Sequence, residues 1–132
     1  MNTKILMGAS ALFMAILGIV ASFLPQEILA YAGSRPEGLG VLVVQITGAL
    51  YLGFASLNWM ARANLIGGIY SRPVALGNFF HFAIVGVVLL KALMAGQNTA
   101  EIVVGTAAYS AFAISFGLVL FTHPSQVGKS ER

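Results

Sequence analysis

The chain contains no cysteine and no aspartate, has histidine only at His81 and His123, and carries charged side chains at 8% of its positions. Each shortage closes a chemistry. Without cysteine there are no disulfides, thiolate nucleophiles, Fe–S clusters or Cys-zinc sites, and the redox compartment stays open. Without aspartate a Ser-His-Asp triad cannot be assembled, and no Gly-x-Ser-x-Gly elbow is present. A catalytic metal needs three protein ligands, and the histidines form no paired helical motif. Gly128-Lys129-Ser130 has the ending of a phosphate-binding loop, but the first glycine of that motif would have to stand at His123. Gly38-x-Gly40 lacks a third glycine and opens an apolar run instead of a dinucleotide fold. The expectation is a protein that is not an enzyme and uses no cofactor.

The scarcity of charge also settles the solvent. Soluble domains carry about 25% charged residues, whereas this chain is 58% hydrophobic. So few charges cannot cover a water-soluble globule of 132 residues. The chain reads as an integral membrane protein. Its net charge of +3 is what membrane topology requires and is no footprint for nucleic acid.

Four apolar stretches are long enough to cross a bilayer, which takes about 17–25 helical residues. They run from Ile5 to Leu24, Leu39 to Ala61, Val74 to Ala95 and Ile102 to Phe121. None shows the two-residue alternation of a barrel strand. The expected fold is all-α, a single domain over 1–132 forming an antiparallel four-transmembrane-helix bundle. Lys4, Arg62, Arg72, Lys129 and Arg132 fall on one side, and Arg35 with Lys91 on the other, which predicts cytoplasmic N- and C-termini. The opening residues also resemble a signal peptide, with Val20-Ala21-Ser22 as a cleavage region. The run is long for that role, and an uncleaved first span is preferred.

The connections differ in character. Pro25 to Tyr31 suits a short interfacial helix, and Gly33 to Gly38 is turn chemistry. Gly96-Gln97-Asn98-Thr99 reads as a tight turn with Thr99 as N-cap. Small residues recur at helical spacing: Gly8, Ala11, Ala15, Gly18 and Ser22 in the first span, and Thr106, Ser110, Ala113 and Gly117 in the last. Ala49 and Gly53 make a small-xxx-small pair in the second. Such stripes let helix backbones approach in lipid, either within one bundle or between copies.

The densest polar cluster brackets the connection between the second and third spans. A ligand-binding reading places Arg62, Arg72 and Tyr70 above Asn58, Asn78 and His81, with Trp59 beside them. Asn58 and Asn78 are expected near the same membrane surface, and His81 sits about 12 Å into its helix. Such a group could hold an anionic or zwitterionic head group, or relay a proton through the imidazole. The competing reading makes Arg and Trp interface anchors and leaves Asn and His to bond neighbouring helices. On the opposite side Lys91 is expected to snorkel outward and pair with Glu101 across the tight turn, a coupling-ion or substrate site being the alternative, and Gln45 to bond a neighbouring helix.

Two families of four-span transport proteins have comparable length. Small multidrug-resistance exporters need a carboxylate within the first span, and Ile5–Leu24 has none. Fluoride-channel proteins need a Thr-rich helix break in the third span, which is missing. Leu17-Gly18, Phe23-Leu24-Pro25, Ile28-Leu29 and Tyr31, followed by a loop and a Gly-rich second span, resemble the DoxX-like proteins and related bacterial four-helix families of unknown function. The resemblance covers the first half of the chain. It implies a four-helix membrane protein, of a kind thought to assist a membrane enzyme complex, with no catalytic residue to carry over. The expected location is the bacterial inner membrane, and the expected partners are membrane lipids, a second copy or a partner membrane protein. The leading functional expectation is a lipid-like ligand-binding or scaffold protein. An oligomeric channel or transporter and a subunit of a membrane enzyme complex are the alternatives.

Overall fold

The computed structural model describes residues 3–63 and 71–122. Five helices follow one another: α1 (Thr3–Phe23), α2 (Pro25–Tyr31), α3 (Leu39–Ala61), α4 (Arg72–Met94) and α5 (Ala100–Thr122). No strand occurs among the described residues. All but α2 are long and apolar enough to cross a membrane, so the chain is an all-helical protein of transmembrane type. Its outer faces agree. Ile46, Leu50, Ile84, Val88, Val104 and Ile114 are each more than half exposed, as side chains that face lipid must be.

Helix is the solution lipid imposes, because every backbone N–H and C=O must then be paired within the segment. The hydroxyls in these helices obey the same demand. Thr47 donates to the Val43 carbonyl (2.8 Å), Thr106 to Ile102 (2.6 Å) and Ser115 to Ala111 (2.8 Å). A hydroxyl bonded back to its own helix costs little wherever it faces.

Helix boundaries follow local chemistry. The backbone leaves α1 at Leu24, and Pro25 opens α2, where a missing N–H is no loss. The expected helix from Pro25 to Tyr31 is present. The fourth helix starts at Arg72 rather than Val74, because Pro73 fits a first turn and need not precede it. Both α2 and α4 end on a glycine of positive φ, Gly33 at 72° and Gly96 at 90°. In each case the next N–H reaches five residues back: Ser34 to the Leu29 carbonyl (2.8 Å) and Gln97 to Ala92 (3.1 Å). This wrap satisfies carbonyls that the helix end leaves open. Thr99 stands in the cap position of α5, where its carbonyl accepts from the Val103 N–H at 3.1 Å.

The chain divides into two compact units, Met7–Arg62 and Met1–Leu6 with Ala63–Arg132. In the first, α1 meets α3 where Gly18 faces Gly48. A methyl group on Gly48 would lie 2.5 Å from Ser22 Oγ and 2.6 Å from Ser22 N; one on Gly18 would lie 2.9 Å from Leu52 N. The approach is reciprocal: each added methyl would come within about 3 Å of the partner glycine's carbonyl oxygen. The expected small-xxx-small pair is not the one used. Ala49 and Gly53 are exposed, and Gly53 has open space where a side chain would go. At the start of α3, Gly40 lies under the Leu29 side chain of α2.

In the second unit, α4 and α5 are joined by the turn at 95–99 and touch in reverse order along their lengths. Leu89 reaches Gly105, Gly86 lies against Ser110, and Phe79 covers Gly117. Of the small residues of the last span, Gly117 receives the Phe79 side chain and Ser110 lies against Gly86.

Because the Gly48 neighbours include Ser22 backbone, no rotamer change can make room there. Gly48→Ala is expected to lower stability by about 1–3 kcal/mol. Gly53→Ala should be neutral or mildly stabilising, since alanine is the better helix former. Unfolding by sodium dodecyl sulfate in mixed micelles separates the two; equal stabilities would refute the tight crossing.

Candidate functional site

At the C-terminal end of α3 three residues act within one turn. Asn58 is fully buried and points to α1, where its Nδ2 donates to Ser10 Oγ at 3.1 Å. The Ser10 hydroxyl in turn donates to the Met7 carbonyl at 3.0 Å. Trp59, the sole tryptophan, is 53% exposed. Arg62 lies over it with the guanidinium carbon 3.2 Å from the ring centroid. Such a stack contributes about 0.5–1 kcal/mol at an exposed site. A cation at a helix C-terminus also complements the helix dipole.

Beside the stack runs a groove of about 360 Å³ between α1 and α3. Ala11, Leu12 and Ala15 form one wall; Leu52, Ala55 and Ser56 form the other; Trp59 stands with them. The width comes from alanines on both sides. The Ser56 hydroxyl is bonded to the Leu52 carbonyl at 3.0 Å. Its polarity is already spent, and the lining is left almost wholly apolar. The rest of its surface is made of alanine and leucine side chains with the Trp59 ring at one end.

The other sequence-predicted residues lie on the second unit. Asn78 is fully buried on α4 and donates to the Val74 carbonyl of its own helix at 2.8 Å. One turn on, the His81 ring packs against Phe82 (5.2 Å between centroids) and Tyr109 (5.7 Å), and its Nε2 is buried. Around them is a run of stacked rings: Phe82 on Phe112 at 4.7 Å and on Phe116 at 5.7 Å. His81 is thus one edge of an aromatic core. Arg72 is the exposed first residue of α4, and Tyr70 lies outside the described residues. Lys91 sits in the last turn of α4 and Glu101 in the first turn of α5, on either side of the tight turn, and each sign suits its helix end. Gln45, expected to bond a neighbouring helix, is exposed on α3 instead.

Sequence reasoning missed Ser10 and the groove. Ser10 is one residue off the small-residue stripe of the first span, and nothing in the linear order ties it to Asn58. The aromatic core was open to reading, because Tyr109, Phe112 and Phe116 recur at helical spacing.

A double-mutant cycle with Ser10→Ala and Asn58→Leu should return a coupling of about 0.6 kcal/mol, the average for hydrogen bonds between membrane helices, and no more than about 1.7 kcal/mol. Additive losses would show that the bond adds nothing to stability.

Set beside known proteins, the sequence matches no family model and no curated protein, and the fold matches no solved structure.

Proposed function

We propose that this chain is a non-catalytic integral membrane protein that holds a lipid-like ligand, in the manner of an accessory or scaffold protein. In this reading it is one antiparallel four-helix bundle of the bacterial inner membrane with both termini in the cytoplasm. The observation that carries it is the open apolar groove between α1 and α3, next to the Trp59–Arg62 stack. The spans lack a coupling carboxylate: no Asp or Glu occurs between Leu39 and Ala61 or between Val74 and Ala95. The kinship with DoxX-like proteins belongs to the same reading. It rests on the Leu17-Gly18, Phe23-Leu24-Pro25 and Ile28-Leu29 positions.

One observation favours a second reading, an oligomeric channel or transporter. Gln45, Ala49 and Gly53 lie exposed at four-residue intervals along α3. A polar side chain turned to lipid is costly unless a neighbour covers it.

Native mass spectrometry in mild detergent weighs the two. The expected result is a monomer or dimer carrying phospholipid. A larger ring without lipid would favour the channel, and a lipid-free monomer would refute both. The topology has its own check. Because the chain has no cysteine, Arg35→Cys introduces a single label site. It should react with a membrane-impermeant maleimide from outside the inner membrane, and labelling from the cytoplasm alone would reverse the assigned orientation.

A further inference from the structure

We propose that the groove of the Met7–Arg62 unit takes an acyl chain of an anionic phospholipid, whose phosphate is held by Arg62. This inference rests on the lipid-binding reading and adds the charge of the ligand. Three features of the same helix end converge. The groove walls are alanine and leucine, with the one hydroxyl bonded internally, so the occupant there is hydrocarbon. Trp59 belongs both to the lining and to the stack, which makes the groove and the cation neighbours. Arg62 caps the C-terminal end of a membrane-spanning helix, the level at which lipid head groups lie.

The guanidinium is also placed to act as a receptor. Stacking on the indole occupies one face of its plane and leaves the N–H edges for a phosphate, which arginine binds in forked fashion. Among the described residues no carboxylate pairs with it. The helix terminus does not help, because the C-terminal carbonyls repel an anion. Within the Met7–Arg62 unit the other cation is Arg35, in the loop before α3, so the positive group at this end of the groove is Arg62. A single arginine at a membrane surface supplies about a fivefold preference. A zwitterionic lipid would fill the groove equally well but offers a compensated charge.

The lone tryptophan makes the site directly observable. The full chain is reconstituted in phosphatidylcholine vesicles containing a minor fraction of lipid brominated on its acyl chains, either phosphatidylglycerol or phosphatidylcholine. Bromine quenches the fluorescence of Trp59 only at close range. The expected result is that brominated phosphatidylglycerol quenches as if enriched about fivefold at the site. Arg62→Gln should abolish that enrichment, and Arg62→Lys, which keeps the charge, should retain part of it. Ser56→Leu fills the groove from its exposed wall and should remove the enrichment while leaving Arg62 in place. Circular dichroism and gel filtration verify that each variant is folded.

Equal quenching by the two brominated lipids in the parent protein would overturn the proposal, as would enrichment that survives Arg62→Gln or Ser56→Leu. Native mass spectrometry keeps the two failures apart. Equal quenching with phospholipid still retained refutes only the anionic site, whereas equal quenching with no lipid retained refutes the lipid-binding reading as well.

Discussion

The approach of Gly18 to Gly48 is the contact on which the first unit depends. In lipid, two apolar helices gain nothing by hiding from solvent, since the acyl chains are as apolar as their side chains. What holds them is close packing, and only residues without side chains permit backbones to come this near. Once the crossing is fixed, other features follow from it. Ser10 and Asn58 stand at the same level along their helices and can bond. Toward the end of α3 the facing residues include Ala11, Ala15 and Ala55, whose short side chains leave the groove between the two helices.

The second unit reaches the same end by other means. Here α4 and α5 are held by rings, with Phe82 against Phe112, Phe116 and Tyr109. Gly105 and Gly117 serve as floors for Leu89 and Phe79, and Gly86 faces the α5 backbone at Tyr109 and Ser110 without the close approach seen at Gly18 and Gly48. Among its polar residues, Asn78 is buried and bonds the Val74 carbonyl of its own helix, and the half-buried His81 packs its ring against Tyr109. The two modes of packing leave different surfaces behind. Aromatic packing fills space, whereas a crossing of small residues leaves space beside it.

The spans were legible because length and apolarity alone specify them in a bilayer, and the observed helices begin and end within a few residues of those runs. The turns were legible for a different reason: Gly33, Gly96 and Pro25 each have a backbone geometry that few other residues accept. Helix pairing was not. A lipid-facing helix is apolar around its whole circumference, so no stripe of hydrophobicity marks the inner face. The pattern of small residues offered Ala49 and Gly53 as readily as Gly48, and the structure selects the glycine one position earlier. In the candidate site, Trp59 and Arg62 could be read as neighbours from their spacing of three. The Ser10–Asn58 bond could not, because it joins residues 48 positions apart.

The spanning helices are nearly uniform, at 21, 23, 23 and 23 residues. At about 1.5 Å per residue, each is slightly longer than the hydrocarbon thickness of an average bilayer, about 30 Å. Helices that overshoot by a small common margin relieve the mismatch by tilting together. In the Met7–Arg62 unit α1 and α3 are locked at Gly18 and Gly48, where a single methyl group would collide with the partner helix. Accommodation to bilayer thickness there is a tilt of the pair as one body, and the groove between the two helices keeps its width.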